Sequence, residues 1–280
     1  MLSCRMRLTI RLRHLRRRFV AGTLSGLSVA LTASAHDTWI SPSAYSAAPG
    51  ELVRFQLTSG MNFPELDSAI KPERVAKAGI RIGAETIPLS DFKPAEHALQ
   101  FEHSFSQPGL GVVWLQLKPK EIELTDDDVA HYLEESHASE EVKRAWAEQK
   151  GKQKWKELYT KCAKAIVAVG DAGGDDSWRE PNGLALELVP LANPAAVRQG
   201  EETGFRLLRN GEPLANTVVI LHYKGHRAAA FQASGSDGTM RFRFEKAGPA
   251  LLSVIHLRPP REGGVWESEF ATLSFEVKPK

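Results

Sequence analysis

The chain has 280 residues, a quarter of them charged, with 36 Lys and Arg against 34 Asp and Glu, and two cysteines. That length allows more than one core. The near-balance of charge excludes the basic field that nucleic acid requires, and two cysteines exclude a disulfide-built scaffold.

Residues 1–18 carry seven arginines and no Asp or Glu, Phe19 to Ala35 is a diluted apolar run, and Ala33-Ser34-Ala35 closes it. A charged stretch, a short apolar stretch and small residues at a cut site make an export signal. The apolar run is too short and too polar for a membrane span. Arg16-Arg17-Arg18-Phe19-Val20 resembles the twin-arginine export motif. The expectation is a signal peptide over 1–35 and a periplasmic protein without a stable membrane span after its removal. The cut takes seven arginines and Cys4 with it, leaving 29 basic against 34 acidic side chains, a net charge near −5, and Cys162 alone. The sequence pI of 8.5 therefore belongs to the precursor.

From residue 36 the pattern is one of strands. "ELVRFQLTSG", "LQFEHSF" and "GVVWLQLKP" alternate apolar with polar residues and are separated by Pro and Gly. Thr125 stands before three aspartates and predicts a helix N-cap. Val129, Tyr132 and Leu133 then share one helical face, and Val142, Trp146, Trp155 and Leu158 continue the apolar positions. This predicts a helical insert at about 125–158, with Gly151 breaking or bending it. "CAKAIVAVG" predicts a buried strand, with Cys162 an inert core residue. From 184 onward, strands recur every 8–12 residues, with Asn210-Gly211 as a turn and Ser236-Asp237-Gly238 as a tight hairpin turn, the pattern of a Greek-key sandwich. The fold class expected is mainly β, with two antiparallel β-sandwich units, 36–183 and 184–280, and the helical insert between them.

Four segments, "AHDTWISPSAY" (35–45), "YTKCAKAIVAVG" (159–170), "LELVPLANP" (186–194) and "WESEFATLSFE" (266–276), together resemble a bacterial exported family of unknown function often described as the periplasmic component of a cobalt/nickel transport system. "GEPLANTVVI" with "SDGTMRFRFEKAGPALLSVIH" resembles the carboxypeptidase-regulatory (transthyretin-like) sandwich. The resemblance implies an envelope protein linked to uptake of nickel or cobalt, with a metal transporter or outer-membrane receptor as partner. The family segment matching Ser253 to Leu257 typically has Met after the histidine. Leu257 stands here instead, so that thioether is absent.

A cut after Ala35 makes His36 the first residue. Its α-amine and imidazole can chelate one metal ion together, a donor pair that suits Cu²⁺ and Ni²⁺. One residue is not a site, so a second imidazole is required. His256, in the apolar strand "LLSVIHL", is the first candidate, because a buried ring without a partner costs about 1–3 kcal/mol. His222 is the second. Asp37 and Glu267 could supply a carboxylate or orient an imidazole. The bound group expected is a divalent transition metal, nickel, cobalt or copper. The alternative from another class is an envelope interaction or glycan-binding module without metal. A copper redox enzyme built on the N-terminal histidine stands behind both. No phosphate-cradling glycine loop, C-x-x-C, H-E-x-x-H or Ser-His-Asp order suggests an ordinary hydrolase or nucleotide enzyme, and none is expected.

Overall fold

Period-two alternation gives strands through most of the chain. The computed structural model describes residues 36–174, 176–261 and 264–280; the expected signal peptide, 1–35, lies outside them. In chain order come β1 (Asp37–Pro42), β2 (Ser46–Ala47), β3 (Leu52–Gly60), β4 (Ser68–Ala69), β5 (Val75–Ile82), β6 (Glu85–Pro88), β7 (Lys93–Pro94), β8 (Leu99–Ser104), β9 (Gly109–Leu117) and β10 (Lys120–Leu124). Two helices follow, α1 (Asp126–Glu135) and α2 (Glu140–Gln149). The rest is β11 (Trp155–Val169), β12 (Leu186–Pro190), β13 (Glu202–Arg209), β14 (Glu212–Pro213), β15 (Val218–Tyr223), β16 (His226–Ala233), β17 (Thr239–Arg243), β18 (Gly248–Arg258) and β19 (Trp266–Val277).

The largest sheet has ten strands and runs β16-β15-β18-β19-β11-β9-β5-β6, with β2 and β10 also on β11. A five-stranded sheet is ordered β1-β3-β8-β7 with β4 on β3, and a four-stranded sheet is ordered β12-β13-β14 with β17 on β13. Pairing is antiparallel except where β11 meets β19 and β2. The fold is thus mainly β, and its two sandwiches share one sheet. The boundary expected at 183/184 falls between β11 and β12, and the ten-stranded sheet takes strands from both sides of it.

Sharing a sheet buries both of its faces, which explains why "CAKAIVAV" is apolar almost throughout. Ala163, Ala165, Val167 and Val169 of β11 pack with Phe55, Leu57 and Phe101 of the five-stranded sheet. The alternate residues Cys162 and Ile166 pack with Leu186, Leu188, Phe205 and Leu207 of the four-stranded sheet. Lys164 lies on this second face and is fully buried. Its Nζ donates to Glu187 Oε1 at 2.8 Å and to the Leu188 carbonyl at 3.0 Å. Glu187 also accepts from the backbone N–H groups of Asn182 and Leu184 and from the Asn182 side chain. These donors hold its carboxyl below the usual range against the opposing effect of burial.

The helices begin as the sequence predicts. Thr125 closes a capping box with Asp128, and Val129, Tyr132, Leu133, Val142 and Trp146 are the buried positions. The insert ends earlier than expected, however. Gly151 turns the chain at φ +74°, and Trp155 and Leu158 belong to β11. Their spacing of three fits a helix, yet the alternation of buried Trp155 and Glu157 with exposed Lys156 decides for a strand. Trp155 stacks on Trp266 at 4.0 Å, and Tyr132 Oη and Trp155 Nε1 both donate to Glu157, at 2.9 and 2.8 Å. The helix pair is thereby fastened to the end of the large sheet. A second difference concerns Ser236-Asp237-Gly238. It turns the chain as expected, but β16 and β17 on either side of it lie in different sheets, and β17 pairs with β13.

The Lys164–Glu187 arrangement predicts an asymmetry. Glu187→Ala leaves a buried ammonium without a counter-charge and is expected to cost about 3–5 kcal/mol. Lys164→Met removes the cation but leaves Glu187 its amide donors, and should cost distinctly less. Urea unfolding of the two variants, read as the change in midpoint, checks the order.

Candidate functional site

The short strand "DTWIS" sets the site. β1 pairs along one edge with β3, Asp37 opposite Gly60 and Ile40 opposite Leu57. Its other edge finds no strand and meets side chains of the large sheet instead. Lys161 Nζ donates to the His36 carbonyl at 2.6 Å, Thr272 Oγ1 to the Thr38 carbonyl at 2.6 Å, and Ser274 Oγ to the Ile40 carbonyl at 2.7 Å. Three successive outward carbonyls are thus satisfied by residues that the β11–β19 register sets two apart along one face. Gly60 permits the close fit, since a Cβ there would lie 2.9 Å from Asp67 Cβ and 3.1 Å from the Trp39 ring.

Alternation then sends Asp37 and Trp39 toward β15 and β18. Trp39 is fully buried with Phe63 and Leu251. Asp37 is buried, lines one cleft with Ser253, and its Oδ2 lies 3.9 Å from His222 Nε2. His222 Nδ1 accepts from the Ala228 backbone N–H at 3.2 Å, so its proton sits on Nε2, 2.8 Å from Ser253 Oγ. The chain therefore runs from Ala228 N–H to His222 and from His222 Nε2–H to Ser253, with Asp37 beside them. This direction is opposite to the one a nucleophilic serine needs, because His222 donates to Ser253 instead of accepting its proton.

Burial keeps His222 neutral, its pKa pushed down to about 4, with Arg227 adding to the effect. Burial also raises the Asp37 carboxyl to about 6, against the pull of Lys161, Arg227 and Ser253. Lys161 is itself pushed down to about 8 by desolvation, opposed by Asp37. His36 is half-buried and its imidazole is lowered, first by desolvation and then by Lys161. Beside this group opens a cleft of about 240 Å³ lined by Asp37, His222, Ser253, Glu135, His137 and Arg227.

Of the five residues expected to bind metal, the structure brings Asp37 and His222 together at this end of the sheet; His36 precedes Asp37 in the chain but does not line the cleft. His256 and Glu267 are elsewhere. β15 and β18 are neighbours, with His222 opposite Leu251. Leu251, Ser253 and Ile255 share the face that carries His222, and the two-residue period sends His256 to the other face. There it stands opposite Glu269 and near Arg209 and Arg258, with its pKa pushed down to about 4 by burial. Glu267 pairs with Arg258 at 2.9 Å. His256 thus has a polar neighbourhood of its own within an apolar strand. Cys162 is buried and its thiol is raised to about 11, as an inert core residue requires.

Among the described residues, no group of three or more His, Cys, Asp or Glu side chains is arranged to hold a metal ion. Both His222 nitrogens are already engaged, so ligation through Nε2 would displace the Ser253 hydrogen bond. Side chains alone do not complete a centre here; a free α-amine at His36 would be the added donor. Sequence reasoning missed Lys161, Ser253, Thr272 and Ser274. The signal for the three hydroxyl residues was present as single polar residues in otherwise apolar strands, "LLSVI" and "ATLSF".

The family described as a domain of unknown function (DUF4198) matches residues 33–258. The chain belongs to that family. Among curated proteins, none matches. Solved structures with similarity include the D0-D1 domain of intimin, at 12% identity and TM-score 0.21 over 84% of this chain and 96% of that one. The CbhA fibronectin(III)-like modules of Clostridium thermocellum give 8% identity and TM-score 0.21 over 86% and 94%. The adhesin InvE of Yersinia pseudotuberculosis gives 9% identity and TM-score 0.21 over 85% and 58%. These likenesses are too remote to assign an activity to a DUF4198 chain. No described helix is long and apolar enough to cross a membrane.

The raised Asp37 carboxyl predicts a titration. With His36 in peptide linkage, the Asp37 carboxyl ¹³C signal should titrate near pH 6 instead of 3.8. A folded pKa above the unfolded one contributes stability that is full below pH 3.8 and lost as pH rises through 6, on the order of 3 kcal/mol. Asp37→Asn should remove that slope from the pH dependence of urea unfolding. A midpoint near 4 would show that Asp37 is solvated.

Proposed function

We propose that this protein captures a divalent transition metal in the bacterial envelope through an amino-terminal chelate at His36, as cargo for an uptake system. The α-amine and imidazole of His36 would hold the ion, His222 would add an imidazole once released from Ser253, and Asp37 would supply a nearby carboxylate. Amine and imidazole nitrogens suit copper and nickel, and cobalt is bound by the same donors less tightly.

One observation carries the reading. Chain termini usually fray, yet the residue expected to start the exported chain is fixed through its own carbonyl by Lys161. The next two residues in the mature order, Asp37 and Thr38, are buried. A first residue held by its carbonyl, next in the chain to the Asp37 of the cleft, is preorganised for a ligand. The expected export signal supports an envelope role.

A second reading, an interaction module, is favoured by β16. This strand forms one edge of the ten-stranded sheet, is largely exposed, and carries Phe231 at 44% exposure. Such an edge can accept a partner strand.

The test begins with N-terminal analysis of the exported protein, followed by titration with Cu²⁺, Ni²⁺ and Co²⁺. The expected start is His36, and one extra residue ahead of it should weaken binding at least tenfold, about 1.4 kcal/mol. His222→Asn should weaken it further while leaving the His36 chelate. A different start, or equal binding with the extension, overturns the metal reading and moves the β16 edge to the front.

A further inference from the structure

A second cleft, of about 450 Å³, has Lys161 in its lining. Four cations line it from three parts of the chain. Lys71 and Arg74 belong to the turn before β5, Lys120 opens β10, and Lys161 comes from β11. Glu73 is the one carboxylate in its lining. Among the described residues, none of the four cations has a carboxylate within ion-pair distance. Basic side chains elsewhere do, as in Arg54–Glu102, Lys154–Glu123 and Arg241–Glu202.

The cations are also positioned. The Arg74 guanidinium lies 5.7 Å from the centre of the Tyr159 ring and the Lys161 ammonium 5.6 Å from it, with Lys161 a further 5.0 Å from the Phe270 ring. Lys161 uses two of its three donors on neutral acceptors, the His36 carbonyl and Ser59 Oγ. Ring faces attract cations and fix their place, but they carry no net charge to neutralise them. Ile70, Leu117 and the Tyr159 ring give the cleft apolar walls between the charges.

We propose that this cleft binds a small organic anion with two or more carboxylates. The carboxylates meet Lys71, Arg74, Lys120 and Lys161, and the carbon skeleton lies against Ile70, Leu117 and Tyr159. Unpaired cations around a concave, partly apolar surface of this volume match the recognition of small ligands by a few convergent charged groups. The walls favour a carbon-bearing anion over inorganic phosphate. The site does not depend on the metal reading, since none of the four cations is a donor to His36's proposed chelate.

The test is calorimetric titration of the exported, metal-stripped protein with citrate, with inorganic phosphate and with acetate, at low and at physiological salt. Stripping removes any citrate bound through a metal, so failure here is distinct from failure at His36. Citrate should bind, phosphate at least tenfold more weakly, and acetate not measurably. Arg74→Gln with Lys120→Gln, both at the surface and away from the cores, should weaken citrate at least tenfold while circular dichroism is unchanged. Lys161→Met should do the same, and it is read separately because it also frees the His36 carbonyl. The absence of citrate binding, or citrate binding unaffected by R74Q/K120Q, overturns the proposal. Equal affinity for phosphate and citrate overturns the organic-anion assignment.

Discussion

The outward edge of β1 is the constraint from which the rest of the site follows. A strand that pairs on one side only leaves a row of carbonyls that must find donors or water. Here three in succession are met by an ammonium and two hydroxyls from the large sheet. A buried carbonyl without a partner costs about 1–3 kcal/mol, so the three contacts decide the register of β1 against β11 and β19. Once that register is set, Asp37 has no direction to point except toward Ser253 and His222. Polar residues in "ATLSF" would be a defect in an ordinary core strand; under this edge they are the donors that the backbone of β1 lacks.

The parallel pairing of β11 with β19 makes that edge available. It brings the last strand of the chain beside the middle one and fuses two sandwiches into three layers. Both faces of the shared sheet are then covered, one by the five-stranded sheet and one by the four-stranded sheet. Parity becomes decisive in such a sheet. His222 and Ser253 fall on the face beneath β1, while His256 and Glu269 fall on the face toward Arg209. Two histidines on neighbouring strands are kept apart by a single step of the two-residue period.

The strands were legible because alternation and turn residues mark them, and the start of α1 was legible because Thr125 and Asp128 form a local capping signal. Trp155 and Leu158 were misread because a spacing of three fits a helix as well as a strand on a charged segment. The expected cut site drew attention to His36 and Asp37, but the sequence did not show that His222, and not His256, stands beside Asp37. That choice depends on which face each strand turns to β1, a property of register over more than 200 residues of separation. Lys161 was hidden for the same reason. In sequence it is one lysine among several, and only the fold shows that its carbonyl partner is the one at the head of β1.

Lys161 also links the head of β1 to the basic cleft. An ammonium carries three donors on a flexible stem, so it can hold the His36 carbonyl, reach Ser59 and still face open space. An apolar residue there would orphan the carbonyl. A guanidinium would bring five donors in a rigid plane into a space bounded by the Tyr159 and Phe270 rings. Lysine satisfies the backbone at the head of β1 and leaves positive charge beside the unpaired cations of the basic cleft. The head of β1 is therefore held by the same group that gives the basic cleft its innermost charge.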